Sequence, residues 1–449
     1  MSYNIGLSGL YAANKALDVT GNNIANVATT GFKSSRVEFA DQYAQSIRGT
    51  SGNTNVGSGV TVAAVAQQFT QGSLTTGTAN SLDLAIQGNG FFMLSNDGEK
   101  LYTRAGAFHT DKDGYVVNSA GDNLQGYNVD ANGNVVVGAL SNLRVDSSNQ
   151  LPQTTTQITN KSNLSSTSAI PTITTFDPTV TASYNTKYST PIYDTQGNSH
   201  TLDQYFVKTG TNTWDMYSLV DGRSIADPTT TPPVADKNSL TFDSSGNLIT
   251  SGTGKPTAST NITVNADGTF QMKNWVPGVQ VGTGATATWA KNGADGNGVA
   301  SATGIKIDMM STTQTASVSG LISQSQNGYA TGQISNMSVD QGGNLFATYT
   351  NGQSKVIGQV SLTNFANVQG LSPAGGTNWR ETYASGVPVS GAPQSGTLGY
   401  VQGQALEDSN VDLTSELVNL IKAQSNYQAN AKTISTESTI MQTTIQMVG

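Results

Sequence analysis

The sequence predicts a mainly β protein with long N- and C-terminal α-helices that pair as a coiled-coil core, and with nested β-rich, barrel- or sandwich-like domains inserted between them. Three observations predict it. Residues 3–28 and 412–449 both read as amphipathic helices. The chain between them alternates short apolar runs with Asn/Asp-Gly turns. Only 11% of residues are charged, against about a quarter in a typical soluble domain, and glycine reaches 49. Many short strands joined by polar turns give that balance.

The helices come first and last. Near the N-terminus, steps of three and four residues land on Leu10, Ala13, Leu17, Thr20, Ile24 and Val27. In the C-terminal stretch the same stepping gives Leu413, Leu417, Leu420, Gln424, Tyr427, Ala431, Ile434, Ser438, Met441, Ile445 and Val448, apolar at all but Gln424 and Ser438. This is the a/d seam of a coiled coil. Asp412 is placed to cap the second helix, and Glu416 adds negative charge to its first turn. No globular sequence beside either helix covers its stripe, so the pattern points to assembly rather than catalysis.

After the first helix, Asn22-Asn23-Ile24-Ala25-Asn26-Val27-Ala28-Thr29-Thr30-Gly31-Phe32-Lys33 weakens helix propensity, because Asn and Thr side chains compete for the backbone. Gly31 supplies a stop. Residues 34–70 read as a connector with a Gly-rich patch at Gly49–Gly59. Leu82, Leu84 and Ile86 then alternate with Asp83, Ala85 and Gln87, the period of a half-buried strand. Phe91–Leu94 is a second strand, and turns recur at Asn96-Asp97-Gly98, Lys112-Asp113-Gly114 and Ala131-Asn132-Gly133.

Pro152, Pro171 and Pro178 in a Thr/Ser-rich stretch mark residues 147–180 as a junction. Beyond it, Tyr205–Val207, Trp214–Leu219 and Leu240–Phe242 are strand-like, with turns at Gln196-Gly197-Asn198, Ser245-Gly246-Asn247 and Ala266-Asp267-Gly268. Strands resume from Ile334 to Leu362. The expected organisation is residues 1–33 and 406–449 as the helices of an inner core, 71–145 with 326–405 as one discontinuous β-rich domain, and 146–325 inserted into it as one or two subdomains.

Composition and motifs exclude much. A net charge of −8 and pI near 4.7 argue against a nucleic-acid partner. No apolar run approaches the roughly 18 residues of a bilayer span, so no membrane insertion is expected. A basic n-region with an apolar core is missing at the N-terminus, so a Sec-type signal is not expected. Absence of cysteine excludes disulfides and thiolate chemistry. His109 and His200 lack a nucleophile elbow and read as solvated turn residues. Asp111-Lys112-Asp113-Gly114 and Asp130-Ala131-Asn132-Gly133 resemble calcium loops but lack the bidentate Glu, so they read as hairpin turns. In Gly252-Thr253-Gly254-Lys255, Pro256 stands where a phosphate loop needs Ser or Thr. Gly282-Thr283-Gly284 lacks the acidic partner of a dinucleotide site. No catalytic, cofactor-binding or metal residue is expected.

Asn23-x-x-Asn26-x-x-Thr29-x-Gly31-Phe32-Lys33 after an amphipathic helix resembles the signature of bacterial flagellar axial proteins, the rod, hook and hook-associated components. The resemblance continues in Ser81–Phe92, in Tyr102-Thr103-Arg104-Ala105-Gly106-Ala107-Phe108, and in Gly121–Tyr127. It closes with Ser409-Asn410-Val411-Asp412-Leu413 and Gln424–Lys432. Chain length, with Tyr193–Leu202 and Gln326–Ala330, resembles the hook branch. Residues 210–320 depart most.

This resemblance implies a structural subunit, not an enzyme and without cofactor, that polymerises into the flexible curved tube joining rod to filament. It implies terminal helices on the inner wall and β-domains outside. The implied partners are further copies of the chain, rod and hook–filament junction proteins, and, during assembly, a hook cap and the type III export apparatus. Its implied location is the hook and basal body, outside the cell, reached without a cleaved signal. A distal-rod or other axial component is the alternative within the class. An extracellular glycan-binding or glycan-cleaving β protein is the alternative outside it.

Overall fold

A computed structural model describes residues 2–42, 57–130, 133–146, 148–283, 287–296 and 304–448. Helix α1 (Ser2–Ala25) and helix α2 (Leu413–Val448) bracket a chain that is otherwise almost wholly strand and turn. Contacts divide it into a terminal unit, residues 1–147 with 334–449, and an inserted unit, residues 148–333.

The terminal unit is built on one antiparallel sheet. Its strands run in the order Ile334–Val339, Asn344–Tyr349, Ser354–Val360, Asn123–Tyr127, Phe91–Asn96, Glu99–Thr103, Asn378–Arg380 and Ser372–Gly375. Successive side chains of a strand point to opposite faces, and Phe91–Asn96 is buried on both. Phe92 and Leu94 join Leu84, Ile86, Leu124, Val360 and Leu362. Phe91 and Met93 join Tyr102, Phe365 and Trp379 on the other side.

The strand expected to be half-buried is instead sealed on both faces. Leu84, Ala85 and Ile86 are all buried, and Asp83 accepts the Asn80 amide at 2.9 Å. Small Ala85 and the close approach of Gly106, where a Cβ would sit 1.6 Å from the Leu84 carbonyl, let a second layer cover the polar phase of the alternation.

Residues 34–70 are more than a connector. Strands β1 (Ser35–Asp41) and β2 (Val60–Gln67) pair antiparallel as an arm that packs on α1. Phe39 opposite Val62 and Val37 opposite Val65 supply the β-branched and aromatic pairs that a hairpin needs. Of the Gly-rich patch, only residues 57–59 lie within the described residues.

The inserted unit is a two-sheet sandwich. Thr186–Tyr193, Ser199–Gly210, Thr213–Val220 and Asp236–Thr241 form an antiparallel sheet. The second sheet runs Ile262–Val264, Phe270–Met272, Ile305–Asp308, Gln157–Ser165 and Thr313–Thr315, with Gly320–Gln326 also pairing to Gln157–Ser165. Both feed one core containing Ile158, Phe206, Trp214, Met216, Leu240, Phe270 and Ile307.

Gln157–Ser165 lies in the stretch the sequence marks as a junction. Its Asn and Ser residues look like linker, but in place they are buried and bonded. Asn160 donates to Gln204 Oε1 at 3.2 Å, and Asn163 accepts the Thr315 N–H at 3.0 Å. Pairing of Gly320–Gln326 to the same strand also carries residues 326–333 into this unit.

One turn recurs throughout. At Asp194, Asp243 and Asp340 the carboxylate accepts the backbone N–H of an asparagine four residues on, Asn198 at 2.8 Å, Asn247 at 2.9 Å and Asn344 at 2.8 Å. That asparagine's amide donates back to the other carboxylate oxygen. The glycine before it takes positive φ, +85° at Gly197 and +73° at Gly343, a conformation that strains any other side chain. Asp111 likewise accepts the N–H groups of Asp113 and Tyr115, so this calcium-like stretch is a turn closed on itself.

Candidate functional site

The signature residues after α1 form a tied corner. Asn23 is buried, and its amide donates to the Ser35 carbonyl while its oxygen accepts the Ser35 N–H, both at 2.9 Å. That pair docks the end of α1 onto the start of β1. Asn26 donates to the Asn22 carbonyl and accepts the Thr29 hydroxyl at 3.1 Å, closing the turn. Gly31 has φ +68°, and a Cβ there would lie 2.4 Å from the Ala105 backbone nitrogen. Its N–H donates to the Glu407 carbonyl at 2.7 Å, and the Phe32 carbonyl accepts from Asn410. Each residue type is needed for its place: Asn to mimic backbone, Gly to pass close to it.

Lys33 closes the corner. Its ammonium donates to the Thr70 carbonyl at 2.8 Å and to Glu407 Oε1. Arg104 holds the other carboxylate oxygen of Glu407 at 3.2 Å and donates to the Gly88 carbonyl at 2.8 Å. The Gly72 N–H adds a third donor to Glu407. Lys33 and Glu407 side chains are fully buried. Burial pushes the Lys33 ammonium below its ordinary range, with Glu407 opposing, and burial acts likewise on Arg104. The Arg104 guanidinium also lies over the Phe91 ring, 5.3 Å from its centroid. A buried ion group of this kind is weak in net energy but costly to break, because removing one member strands the others in low dielectric. Asn410 completes the clamp, accepting the Ser34 N–H and donating to the Gln68 carbonyl.

Above this corner the helices run antiparallel, Gly6 facing Ile434 and Gly9 facing Asn430. A Cβ on Gly9 would lie 2.4 Å from Asn430 Oδ1. The contact runs along small residues, with Gly6, Ala12, Ala13 and Thr20 buried on α1 and Ala423 on α2. It overlaps the apolar stripe at Ala13, Thr20 and Ile434 and runs beside it at Ala12, Ala423 and Asn430. Of the stripe, Ala13 is buried, and Leu10, Leu17, Ile24, Val27, Leu420, Ala431 and Ile434 are half-buried. Leu413, Leu417, Tyr427, Met441 and Ile445 are exposed, while the Val448 side chain lies outside the described residues.

Sequence stepping missed Ala423 because it falls between the seam positions Leu420 and Gln424. Val418 at 46% and Ile421 at 61% extend the exposed apolar surface. Asp412 caps α2 through the N–H groups of Thr414 and Ser415. Further along, Thr433, Thr436, Thr439, Thr443 and Thr444 each bond the carbonyl four residues back. Their hydroxyls are thereby satisfied within the helix.

At about 1.5 Å per residue, the 36 residues of α2 overrun the 24 of α1. α1, β1–β2 and α2 line an open groove of about 820 Å³ that includes Ile5, Ala16, Val19, Phe39 and Ala423.

Of the histidines, His109 is exposed in a hairpin. His200 is not the solvated turn residue the sequence suggests: it is buried in the inserted unit between Asp221 and Asp194. Its partners come from turns far enough apart in sequence to leave no local motif. Among the described residues no helix is long and apolar enough to cross a membrane.

Known proteins match this chain from end to end. A flagellar hook protein FlgE of Salmonella typhimurium is 36% identical over 450 residues, covering 100% of both chains. One from Escherichia coli is 37% identical over 452 residues, again with 100% of both covered. The chain belongs to the flagellar hook protein family. The Borreliella burgdorferi hook protein is 33% identical, with 98% of each chain covered. A solved hook protein FlgE2 of Helicobacter pylori superposes with a TM-score of 0.46 at 14% identity, over 74% of this chain and 99% of its own.

Family models divide the hook chain as its clamp does. "Flagella basal body rod protein" matches residues 4–33, ending on Lys33. "Flagellar hook protein FlgE/F/G D1 domain" matches 85–163, with Arg104. "Flagellar basal body rod FlgEFG protein C-terminal" matches 402–447, with Glu407 and α2. "Flagellar basal body protein FlaE D2 domain" matches 163–329, most of the inserted unit. Each ionic member of the clamp thus comes from a different family segment. As a member of the hook family the chain is a structural, non-enzymatic subunit of the flagellar hook and basal body.

Proposed function

We propose that the helix pair is the inner wall of a curved, flexible tube made of copies of this chain, a universal joint that passes torque from rod to filament. One observation carries the reading: with α1 and α2 already paired, Leu413, Leu417, Ile421, Met441 and Ile445 remain exposed. Isolated amphipathic helices gain most of their stability from packing, and a helical polymer supplies it by repeating one heterologous contact. The clamp of Lys33, Arg104 and Glu407 is the mechanical tie between helices and β-structure, so that load on one reaches the other.

The partners of this reading are the rod at one end and hook–filament junction proteins at the other, with a hook cap and the type III export apparatus during growth. The chain travels unfolded through the export channel without a cleaved signal and assembles outside the cell. Lack of cysteine suits that route, since no disulfide can trap the chain in transit.

Electron microscopy of the purified polymer tests the reading. Curved tubes with a helical inner layer are the expected result. Straight, stiff tubes would assign the chain to a rod segment instead, and failure to polymerise would remove the helix-wall assignment.

A further inference from the structure

His200 is buried in the inserted unit with a carboxylate against each ring nitrogen. Its Nδ1 lies 2.7 Å from Asp221 Oδ2 and its Nε2 lies 3.3 Å from Asp194 Oδ2. Trp275 covers the ring edge-to-face at 5.3 Å. An imidazole with both nitrogens against carboxylates satisfies both only when doubly protonated, because the neutral ring turns a lone pair toward one of the acids. The two carboxylates flank opposite sides of the ring, so they do not converge with it on one metal ion. Among the described residues no metal-holding group of acids and histidines occurs.

Each acid is anchored to a different piece of chain. Asp221 accepts the Thr201 N–H at 2.8 Å. Asp194 accepts the N–H groups of Gln196 and Asn198, the Asn198 amide, and the Asn292 amide at 2.8 Å. The Asn292 segment is tied again where Thr195 and Asp295 exchange hydrogen bonds at 3.0 Å. Among the described residues Asp194 and Asp221 are the charged groups against the imidazole, and Trp275 packs on its ring.

We propose that protonated His200 pins the 194–198 turn, the 221–223 turn and the 292–296 segment together, and that the inserted unit loosens when that proton is lost. Burial works against the charge, but Asp221 and then Asp194 outweigh it and raise the imidazole above its ordinary 6.5. Below that value the ring is charged in folded and unfolded chain alike, and the pin contributes in full. As pH rises the unfolded chain gives up its proton first, so the contribution shrinks through the interval and is gone above the folded value.

The sequence has two histidines, so in an NMR titration of the imidazole carbons the His200 signal is assigned as the one lost in His200→Gln. His200 should titrate above the reference value of an ordinary imidazole, about 6.5. Asp221→Asn should bring His200 down toward the reference. Hydrogen exchange of residues 194–198 and 292–296 should accelerate above the His200 midpoint beyond the intrinsic pH effect, and should lose that step in His200→Gln. His200 titrating at or below that reference value, or staying unmoved in Asp221→Asn, overturns the proposal. If His200→Gln does not fold, the wild-type titration and Asp221→Asn still decide it.

Discussion

The inserted unit and helix α2 handle apolar surface in opposite ways. In the sandwich, Trp214, Phe206, Met216, Leu240 and Phe270 are wholly buried, and both sheets close over one core. Along the 36 residues of α2, Ala423 alone is buried among the described residues, and leucines, isoleucines and methionines stand in the open. One region satisfies itself and the other is left to be completed. The difference teaches where assembly acts: a folded subunit can be stable in its β-structure and still carry an unfinished surface. The small-residue contact between α1 and α2 makes this possible, because it pairs the helices without consuming their large side chains.

The sharpest way to break this contrast is to put charge on the unfinished surface. Leu417→Asp, at a position 45% exposed, should abolish tubes in electron micrographs while moving the thermal stability of the subunit by no more than about 0.5 kcal/mol. Leu17→Asp should also abolish tubes and leave the β-structure folded. Normal tubes from either variant would remove the helices from the polymer contact.

The converse change belongs in the sandwich. Trp214→Ala should cost about 3–5 kcal/mol in urea denaturation followed by circular dichroism. A loss under about 1 kcal/mol would mean that the core is not closed as described. Between these extremes lies the clamp. Lys33→Met should cost about 3 kcal/mol, because it leaves the buried Glu407 with Arg104 and the Gly72 N–H but without its ammonium partner, and adding Glu407→Gln should cost less than the sum of the two single changes. Strict additivity in that cycle would show that the two residues do not act as a unit. Smallest is a single turn: Asp340→Ala should cost about 1 kcal/mol in the same assay, an effect confined to the terminal unit.

What the sequence made legible was whatever is decided locally. The helix ends, the Asp412 cap, the turns and the strands at Phe91 and Trp214 depend on residues within a few positions of one another. The signature at Asn23–Lys33 was also readable, although not its reason. Lys33 and Glu407 stand 374 positions apart, so their pairing left no periodic trace. Lys33 at the end of the signature and Arg104 within Tyr102–Phe108, charged residues carried in motif segments, were the available hints. The β1–β2 arm hid because the Gly/Ser/Asn-containing middle of the stretch reads as a connector. Gln157–Ser165 hid for a related reason: polar side chains look like linker until buried partners are in place. His200 was misread because its acids arrive from separate turns.

The recurring Asp-to-Asn turn has a consequence for time as well as for shape. Each one closes a loop of only a few residues with bonds drawn wholly from those residues, so it waits for no distant partner. Loop closure at that length costs little entropy, and hairpins of this kind form in about 1–10 μs. On the export route proposed above, the chain can therefore set its strand registers one hairpin at a time. Search across the whole sandwich is then needed only for the last step, the meeting of the two sheets.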